Sequence, residues 1–556
     1  MGLYGSKILR GIGDNIVLGN TLVETDIYKM QQNLMDDREQ TLLIRPYDIR
    51  NGKFSEIFNK NGGFDIIVGN PPYVEPKYFK KEVPEMHMYI SSKYSTYSGK
   101  TDLAVIFLER CYSLLSDSGV LGFIVQRRFF GTNYGIRIRR FLSSSKSVMG
   151  IVGFKTNKIF RRKITYVAIL FLSRKPNSHF WYLDVKGEPE LIEPLFSQNS
   201  FDNIQNFEPR QYPYNKLEGD IWSFESDAVD NLSEELKSKH KTLRDFPGLS
   251  VEGGIQVLWK SLYHIIPEEI KDGIISGRNA FGEQVEVEEA ACRPVIYNEF
   301  IYCFKDLPIN AYAIFPYEEK DPSREILFSQ FKRRYPLAGA YLEARKKKIT
   351  ENVEVIKVKV GENFEPDSER WHLFTRKLNH ESFNLKKIIL PMTARDTFAS
   401  LKLEGHCYLD NSNLWAVSIE QDDETILTAI AAIFNSTLFS VMATTRANPQ
   451  TGGYKKLNRQ FLDPVPFPSK QILEDRDSVL DLYDTSHRII DLQKRYLMAA
   501  PPDRISVADS LKFLWRELDI KVEKLYGLNE HQSEIINSVG RNESRIEILK
   551  AGKDEF

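Results

Sequence analysis

Cysteine is scarce in this chain, which has only Cys111, Cys292, Cys303 and Cys407 among its 556 residues. No two of them form a C-x-x-C pair, and none lies beside a cluster of histidines. That spacing supports neither a disulfide framework nor a zinc site, so no metal ligand is predicted. Scattered free thiols are typical of a reducing compartment, and the sequence therefore predicts a cytoplasmic protein.

Long apolar runs and a surplus of one charge are also missing. No stretch of about 18 consecutive apolar residues occurs. Residues 1–20 lack the apolar core and the small-residue cleavage site of a signal peptide. We therefore expect neither secretion nor a membrane span. The 75 basic residues balance 76 acidic ones, which argues against a uniformly basic surface but leaves local basic clusters open.

The composition that remains is globular, because 42% hydrophobic and 27% charged residues can fill more than one core. Within it, segment 62–73 reads GGFDIIVGNPPY, an apolar strand that two prolines end. Helical spacing runs from Asp102 to Leu115, with Thr101 or Asp102 as N-cap and Gly119 just beyond the end. Apolar runs at 120–125 and 166–172 follow as buried strands. Strand, helix and strand in this order predict a parallel α/β sheet.

The string Asn70-Pro71-Pro72-Tyr73 stands at the carboxyl end of the first of these strands, where open α/β sheets bind their ligands. Its chemistry suits an exocyclic amine such as adenine N6, whose lone pair is delocalised into the ring. If the Asn70 side chain and the Pro71 carbonyl accept the two amine hydrogens, the lone pair becomes available for attack. Tyr73 offers a flat face for stacking, and a duplex base would have to flip out to reach it.

With this motif, the sequence resembles the gamma-class DNA adenine-N6 methyltransferases of the type IIG restriction-modification kind. The resemblance extends to segments 101–109 (TDLAVIFLE), 118–125 (SGVLGFIV), 134–139 (YGIRIR) and 157–160 (NKIF). It implies that Asn70, Pro71, Pro72 and Tyr73 form the catalytic motif. It also implies that Phe160 stacks on the flipped adenine opposite Tyr73, with S-adenosylmethionine as methyl donor.

The same resemblance makes segment 16–22 (IVLGNTL) similar to the motif that lines the cofactor adenine, with Asn20 as a cofactor-binding residue. The glycine-rich cofactor loop, however, should precede it, and the short glycine string at 11–13 is a weak candidate for that loop. The chain is therefore expected to start inside the catalytic domain. Two interpretations remain: a partner chain supplies the first half of the domain and possibly a nuclease, or this chain is a non-catalytic DNA-recognition subunit.

The second half of the chain resembles a TaqI-like target-recognition domain. The resemblance rests on the order of several short strings, at 243–245, 251–256, 314–317, 335–336, 387–391, 453–458 and 464–468. It implies binding to double-stranded DNA, which requires local basic clusters for the phosphates. Four such clusters occur: Arg161, Arg162 and Lys163; Lys332, Arg333 and Arg334; residues 345–348; and Lys455 and Lys456. Within 345–348, Arg345 and Lys346 are the predicted DNA contacts.

The expected fold class is α/β, with a partial Rossmann-like methyltransferase sheet, an α+β DNA target-recognition domain and a helical tail. The corresponding ranges are 1–190 for the catalytic part, 191–242 for a linker, 243–468 for target recognition and 469–556 for the tail. The function that the resemblance implies is site-specific adenine methylation in a restriction-modification or phage-defence system.

Overall fold

A computed structural model gives the fold of most of the chain. The residues that it describes are 16–30, 44–74, 78, 80, 83–154, 167–185, 209–218, 221, 222, 224, 227–257, 259–318, 321, 324–351, 369–374, 383–410, 414–449, 454–539 and 545–549. The chain divides into two compact units, unit 1 (residues 1–224) and unit 2 (residues 225–556).

Unit 1 combines short helices with one mixed sheet. Its described helices are α1 (Ile27–Met30), α2 (Ser55–Asn61), α3 (Pro84–Lys93), α4 (Leu103–Ser113), α5 (Arg128–Gly131) and α6 (Ile136–Ser144). Its described strands are β1 (Phe64–Gly69), β2 (Leu115–Gln126), β3 (Val148–Phe154), β4 (Val167–Ser173), β5 (His179–Val185) and β6 (Arg210–Pro213).

The six strands lie in the order β1-β2-β4-β3-β5-β6. Strands β1 and β2 are parallel and α4 connects them, as the sequence predicts. The prediction of a fully parallel sheet is wrong, because β4 runs antiparallel to both β2 and β3. Periodicity reports which residues are buried and not the direction of a strand, so a strand buried on both faces gives the same pattern in either direction.

Two local predictions also need correction. Helix α4 ends at Ser113 and β2 begins at Leu115, so Gly119 lies within the strand and not beyond the helix end. The β-branched run and Gly-Asn turn of residues 14–23 favour a strand followed by a loop, but the described part, 16–23, contains no strand and has an isolated bridge between Asn20 and Pro46. A β-branched run without a paired neighbour has no ladder to join.

The core of unit 1 lies around β2 and β4. Leu121, Phe123 and Val125 of β2 pack with Ala168 and Leu170 of β4, all almost fully buried. β2 pairs with β1 on one side and β4 on the other, so it has no free edge among the described strands. β1, by contrast, lies at the edge of this described sheet.

Unit 2 contains three sheets and many helices. Its described helices are α7 (Asp227–Lys239), α8 (Lys260–Tyr263), α9 (Phe328–Arg334), α10 (Pro336–Glu343), α11 (Lys346–Thr350), α12 (Glu424–Phe434), α13 (Thr437–Arg446), α14 (Arg459–Leu462), α15 (Ser469–Glu474), α16 (Arg476–Met498), α17 (Pro501–Tyr526) and α18 (Glu530–Val539).

The described strands of unit 2 are β7 (Leu249–Gly253), β8 (His264–Lys271), β9 (Ile274–Asn279), β10 (Gln284–Glu288), β11 (Cys292–Ile296), β12 (Ala311–Ile314), β13 (Lys387–Pro391), β14 (Thr393–Ala394), β15 (Ser400–Lys402), β16 (Tyr408–Leu409), β17 (Leu414–Ile419), β18 (Asn448–Pro449) and β19 (Lys455–Lys456). They form three sheets, in the orders β10-β9-β8-β12-β11-β16, β15-β13-β17-β7 and β14-β19-β18.

The range 191–242, assigned to a linker by composition, includes β6 of the first sheet and α7 of unit 2.

No single helix in the described ranges is long and apolar enough to cross a membrane. Helices α12 and α13 meet that criterion only as a pair, with a 60° bend between them. Most side chains of both helices are buried.

A buried ion pair holds the helical part of unit 2 together. Asp519 of α17 accepts hydrogen bonds from both terminal nitrogens of Arg545, at 2.9 and 3.0 Å. The same carboxylate accepts from the backbone N–H and hydroxyl of Thr437 at the start of α13, both at 2.8 Å. Two helices and the segment 545–549 thus share one buried carboxylate, so the loss of its cation leaves an uncompensated charge.

We expect Arg545→Met to lower the free energy of unfolding of unit 2 by about 3 to 5 kcal/mol, because Asp519 would stay buried without its counter-ion. Arg278→Met, which breaks an exposed pair with Glu268, should cost less than about 1 kcal/mol. Urea denaturation of both variants followed by tryptophan fluorescence measures the difference. Equal losses in the two variants would contradict the role of this pair.

Candidate functional site

The loop that carries the motif begins where β1 ends against β2. Gly69, the last residue of β1, pairs with Phe123 of β2. A side chain at Gly69 would place its Cβ 2.7 Å from the Phe123 ring, so glycine is required for the two strands to approach. The packing of Phe123 therefore fixes the position from which Asn70 leaves the sheet.

Asn70 is exposed, Pro71 is buried and Pro72 is exposed. Within the described part of the chain, the Asn70 side chain has no hydrogen-bond partner, so both its amide oxygen and its amide nitrogen are open to a ligand. Pro71 and Pro72 have fixed φ angles and no N–H group. The Asn70 amide oxygen and the Pro71 carbonyl oxygen, which belong to consecutive residues, are therefore two acceptors in this loop.

Tyr73 is half-buried, and its hydroxyl donates a hydrogen bond to the Ile124 carbonyl of β2 at 3.1 Å. Burial and the neighbouring carboxylate of Asp102 raise the pKa of Tyr73 to about 12. The hydroxyl therefore stays protonated at neutral pH and keeps donating. This bond anchors the far end of the ring to β2, the neighbour of β1 in the sheet.

The N-terminus of α4 holds the loop from the other side. The Leu103 N–H donates to the Val74 carbonyl at 3.0 Å. Asp102 caps α4 by accepting from the Val105 N–H, and it also accepts from the Tyr134 hydroxyl at 3.4 Å. Burial raises the pKa of Asp102. The sequence predicts Asp102 as one of two possible caps, and the structure selects it over Thr101.

Sequence reasoning missed the contact between Asp102 and Tyr134. The two residues are 32 positions apart and belong to different predicted elements, so no spacing rule connects them. The sequence offers one weak signal for this contact: Tyr134 lies in a largely apolar segment soon after β2, where its hydroxyl would need a hydrogen-bond partner. The contact links the cap of α4 to the segment after β2, and so supports the loop that follows β1.

Asn20, the predicted cofactor residue, is half-buried. Its Oδ1 accepts from the Leu22 N–H at 3.0 Å, and its Nδ2 donates to the Met86 sulfur at 3.6 Å. The amide oxygen thus shapes its own loop, while among the described residues the nitrogen has a weak sulfur acceptor that a better one would replace. Phe160, Arg161, Arg162 and Lys163 lie outside the described residues, so their roles stay predictions.

The basic residues predicted for DNA differ in their surroundings. Three have carboxylate partners within the chain: Lys332 with Glu343 at 2.6 Å, Arg334 with Glu318 at 2.7 Å, and Arg345 with Glu283 at 2.8 Å. Arg333 instead donates to the Ser329 carbonyl. Ion pairing with acidic neighbours reduces the net positive charge that these side chains present to a phosphate.

Aromatic rings lie beside several of the other predicted cations. Lys346 lies 5.8 Å from the Trp371 ring centre, and Lys348 lies 3.8 Å from that of the exposed Phe281. Lys455 and Lys456 form β19, which directly follows Tyr454. Cations interleaved with aromatic side chains are typical of surfaces that bind nucleic acids.

Comparison with known proteins relates this site to one family. Residues 15–160, which include the Asn70 loop, match the sequence model of the Eco57I restriction-modification methylase family. The chain is 23% identical over 564 residues to the type II restriction enzyme and methyltransferase RM.Eco57I of Escherichia coli, across 95% of this chain and 51% of that protein. The chain thus spans about half the length of this relative.

Two further similarities cover a shorter stretch and the fold. A stretch of 113 residues is 34% identical to the type II methyltransferase M.BstVI of Geobacillus stearothermophilus, covering 20% of each chain. The type IIL restriction-modification enzyme MmeI, solved in complex with DNA, has a similar structure with a TM-score of 0.55 at 11% identity. That similarity covers 92% of this chain and 60% of MmeI. The predicted α/β class with a Rossmann-like sheet is confirmed.

We expect Gly69→Ala to destabilise unit 1 by about 1 to 3 kcal/mol, because the new methyl group would overlap the buried Phe123 ring. Gly122→Ala in β2 is the matched control, since its Cβ would meet Phe171 at 3.5 Å, an ordinary contact. Denaturant unfolding measures both changes. If Gly69→Ala is as stable as Gly122→Ala, the close approach of β1 and β2 is not what positions the loop.

Proposed function

We propose that this chain methylates the N6 amino group of a flipped adenine in double-stranded DNA, as the target-binding part of a restriction-modification or phage-defence methyltransferase. The observation that carries the proposal is the exposed Asn70 amide, which has no hydrogen-bond partner among the described residues and is followed by two prolines at the carboxyl end of β1. Two fixed acceptors suit an amine with two hydrogens, and this loop lies within the segment that matches the methylase family.

Each residue of the loop is proposed to contact a different part of the target base. The Asn70 Oδ1 and the Pro71 carbonyl would accept the two N6 hydrogens and favour a lone pair directed out of the ring plane. The Tyr73 ring, which the Ile124 carbonyl holds, would stack on the base. Phe160 is proposed for the opposite face. S-adenosylmethionine would supply an electrophilic methyl group, and the weakly bonded Asn20 Nδ2 is the described group proposed to contact it.

We propose in addition that a second polypeptide completes this domain by covering β1. Ile66 and Val68 lie on the same face of this strand and are 69% and 79% exposed, whereas Ile67 on the other face packs against the core. An apolar edge strand left uncovered is a site of association. The partner is therefore expected to bring an apolar surface and the remaining cofactor contacts.

Residues 243–468 of unit 2 are proposed as the target-recognition part. The proposed phosphate contacts are above all Lys346 and Lys348, which lie beside aromatic rings, and Lys455 and Lys456, which follow Tyr454 in the sequence. The paired residues Lys332, Arg334 and Arg345 would need to exchange a carboxylate for a phosphate. We propose a cytoplasmic location, because the proposed substrate is DNA inside the cell.

The test of methylation uses this chain together with the protein encoded by the adjacent gene, radiolabelled S-adenosylmethionine and mixed-sequence DNA. We expect label in N6-methyladenine, and we expect Asn70→Ala to lower the rate about 100- to 1000-fold because one of two acceptors is lost. Asn61→Ala, which removes an exposed asparagine from α2, is the control and should retain activity. DNA binding without methylation in any mixture would support a non-catalytic recognition subunit instead.

The test of the partner surface uses the double variant Ile66→Lys with Val68→Lys. We expect this chain to fold, because both side chains are exposed, but to lose both co-purification with the adjacent gene product and the methylation that depends on it. Ile270→Lys, at an exposed position of unit 2, should retain both. Co-purification that survives the double variant would exclude β1 as the docking surface.

A further inference from the structure

Helices α16 and α17 form an antiparallel hairpin with an apolar surface that nothing in the described chain covers. Arg488 of α16 pairs with Glu517 of α17, and Asp481 pairs with Lys521, so the two helices run in opposite directions. One face of α17 packs inward through buried residues such as Leu514 and Leu518. Amphipathic helices expose polar residues on the outer face, but here three large apolar residues lie there.

These residues are Ile505, Phe513 and Ile520, which are 70%, 68% and 56% exposed. With the exposed Asp509 and Arg516 they form a series with spacings of four, four, three and four residues. At 3.6 residues per turn these positions fall on one side of the helix. We call this set the α17 stripe.

A groove beside the α17 stripe offers space for another helix. Its volume is about 1020 Å³, and Ile505, Asp509 and Phe513 line it from α17, while Asp491 and Arg495 line it from α16. The groove therefore has an apolar wall with charges of both signs, which is suited to a protein partner. DNA, which is uniformly negative, would favour a surface with one sign of charge.

We propose that the occupant is α17 of a second copy of this chain, antiparallel about a two-fold axis midway between Lys512 and Phe513. The antiparallel pairing is inferred from the order of the side chains along α17. Ile505 lies eight residues before Phe513, and Ile520 lies eight residues after Lys512, so each isoleucine meets the other isoleucine of the second copy. A two-fold interface must match itself in this way.

The charges match across the same axis. Asp509 lies four residues before Phe513 and Arg516 lies four residues after Lys512, so each aspartate faces an arginine of the second copy. Lys512 faces the Phe513 ring, where a cation is attracted to the aromatic face. Within one copy Asp509 pairs with Lys512 at 3.1 Å, an exposed pair that association can exchange.

Two hairpins joined in this way bring four long helices together, of 23 residues for α16 and 26 residues for α17, and bury the two α17 stripes against each other. The assembly carries two copies of unit 2 related by a two-fold axis. This inference does not depend on the proposed methylation, since it rests on α16 and α17 alone.

Sedimentation of the purified chain between about 1 and 100 µM, a range that resolves micromolar association, tests the dimer. We expect the wild type to shift towards twice the mass of one chain as its concentration rises. Phe513→Lys should weaken association at least tenfold, while Ile270→Lys should leave it unchanged. Circular dichroism should show equal helix content in all of these proteins, because the altered residues are exposed.

A charge exchange separates this geometry from other modes of association. Asp509→Arg alone and Arg516→Asp alone should each weaken the dimer, because like charges then face each other. The double variant should restore association, since the opposite charges again meet across the axis. A wild type that stays monomeric over the whole range, or a double variant that is as weak as the single ones, would overturn the proposal.

Discussion

The candidate site depends on the parallel pairing of β1 with β2. That pairing places Gly69 against Phe123 at a distance that no side chain at position 69 permits, and the chain then leaves the sheet at Asn70. Pro71 and Pro72 have no N–H group to donate to a neighbouring strand, so the strand ends before them.

The second consequence of this pairing is that the loop has two anchors. Tyr73 is bonded to the Ile124 carbonyl of β2, and Val74 is bonded to the first turn of α4. Since α4 itself connects β1 to β2, the loop, the helix and the strand form one closed set of contacts. An enzyme that stabilises developing charge needs acceptors that do not reorganise during the reaction, and such contacts provide them.

Much of this arrangement could be predicted from the sequence, because β1, α4 and the motif are local patterns. Glycine and proline bound the strand, and residue type limits the cap of α4 to Thr101 or Asp102, between which the structure decides. The antiparallel direction of β4 and the bond from Tyr134 to Asp102 could not be predicted, since both join segments far apart in the chain. The same limit applies to the basic clusters, because Glu283, Glu318 and Glu343 pair with them only after folding.

Two exposed apolar surfaces call for different occupants on physical grounds. The exposed face of the edge strand β1 needs a partner that supplies complementary strands or helices, whereas the α17 stripe matches itself in sequence.

Asn70 is the residue on which the proposed methylation depends most. Single-molecule sequencing of DNA from cells that express this chain with its adjacent gene tests it most directly. The account predicts N6-methyladenine at one sequence motif, absent when Asn70 is alanine; methylation that persists in that variant, or that falls on cytosine, would contradict it.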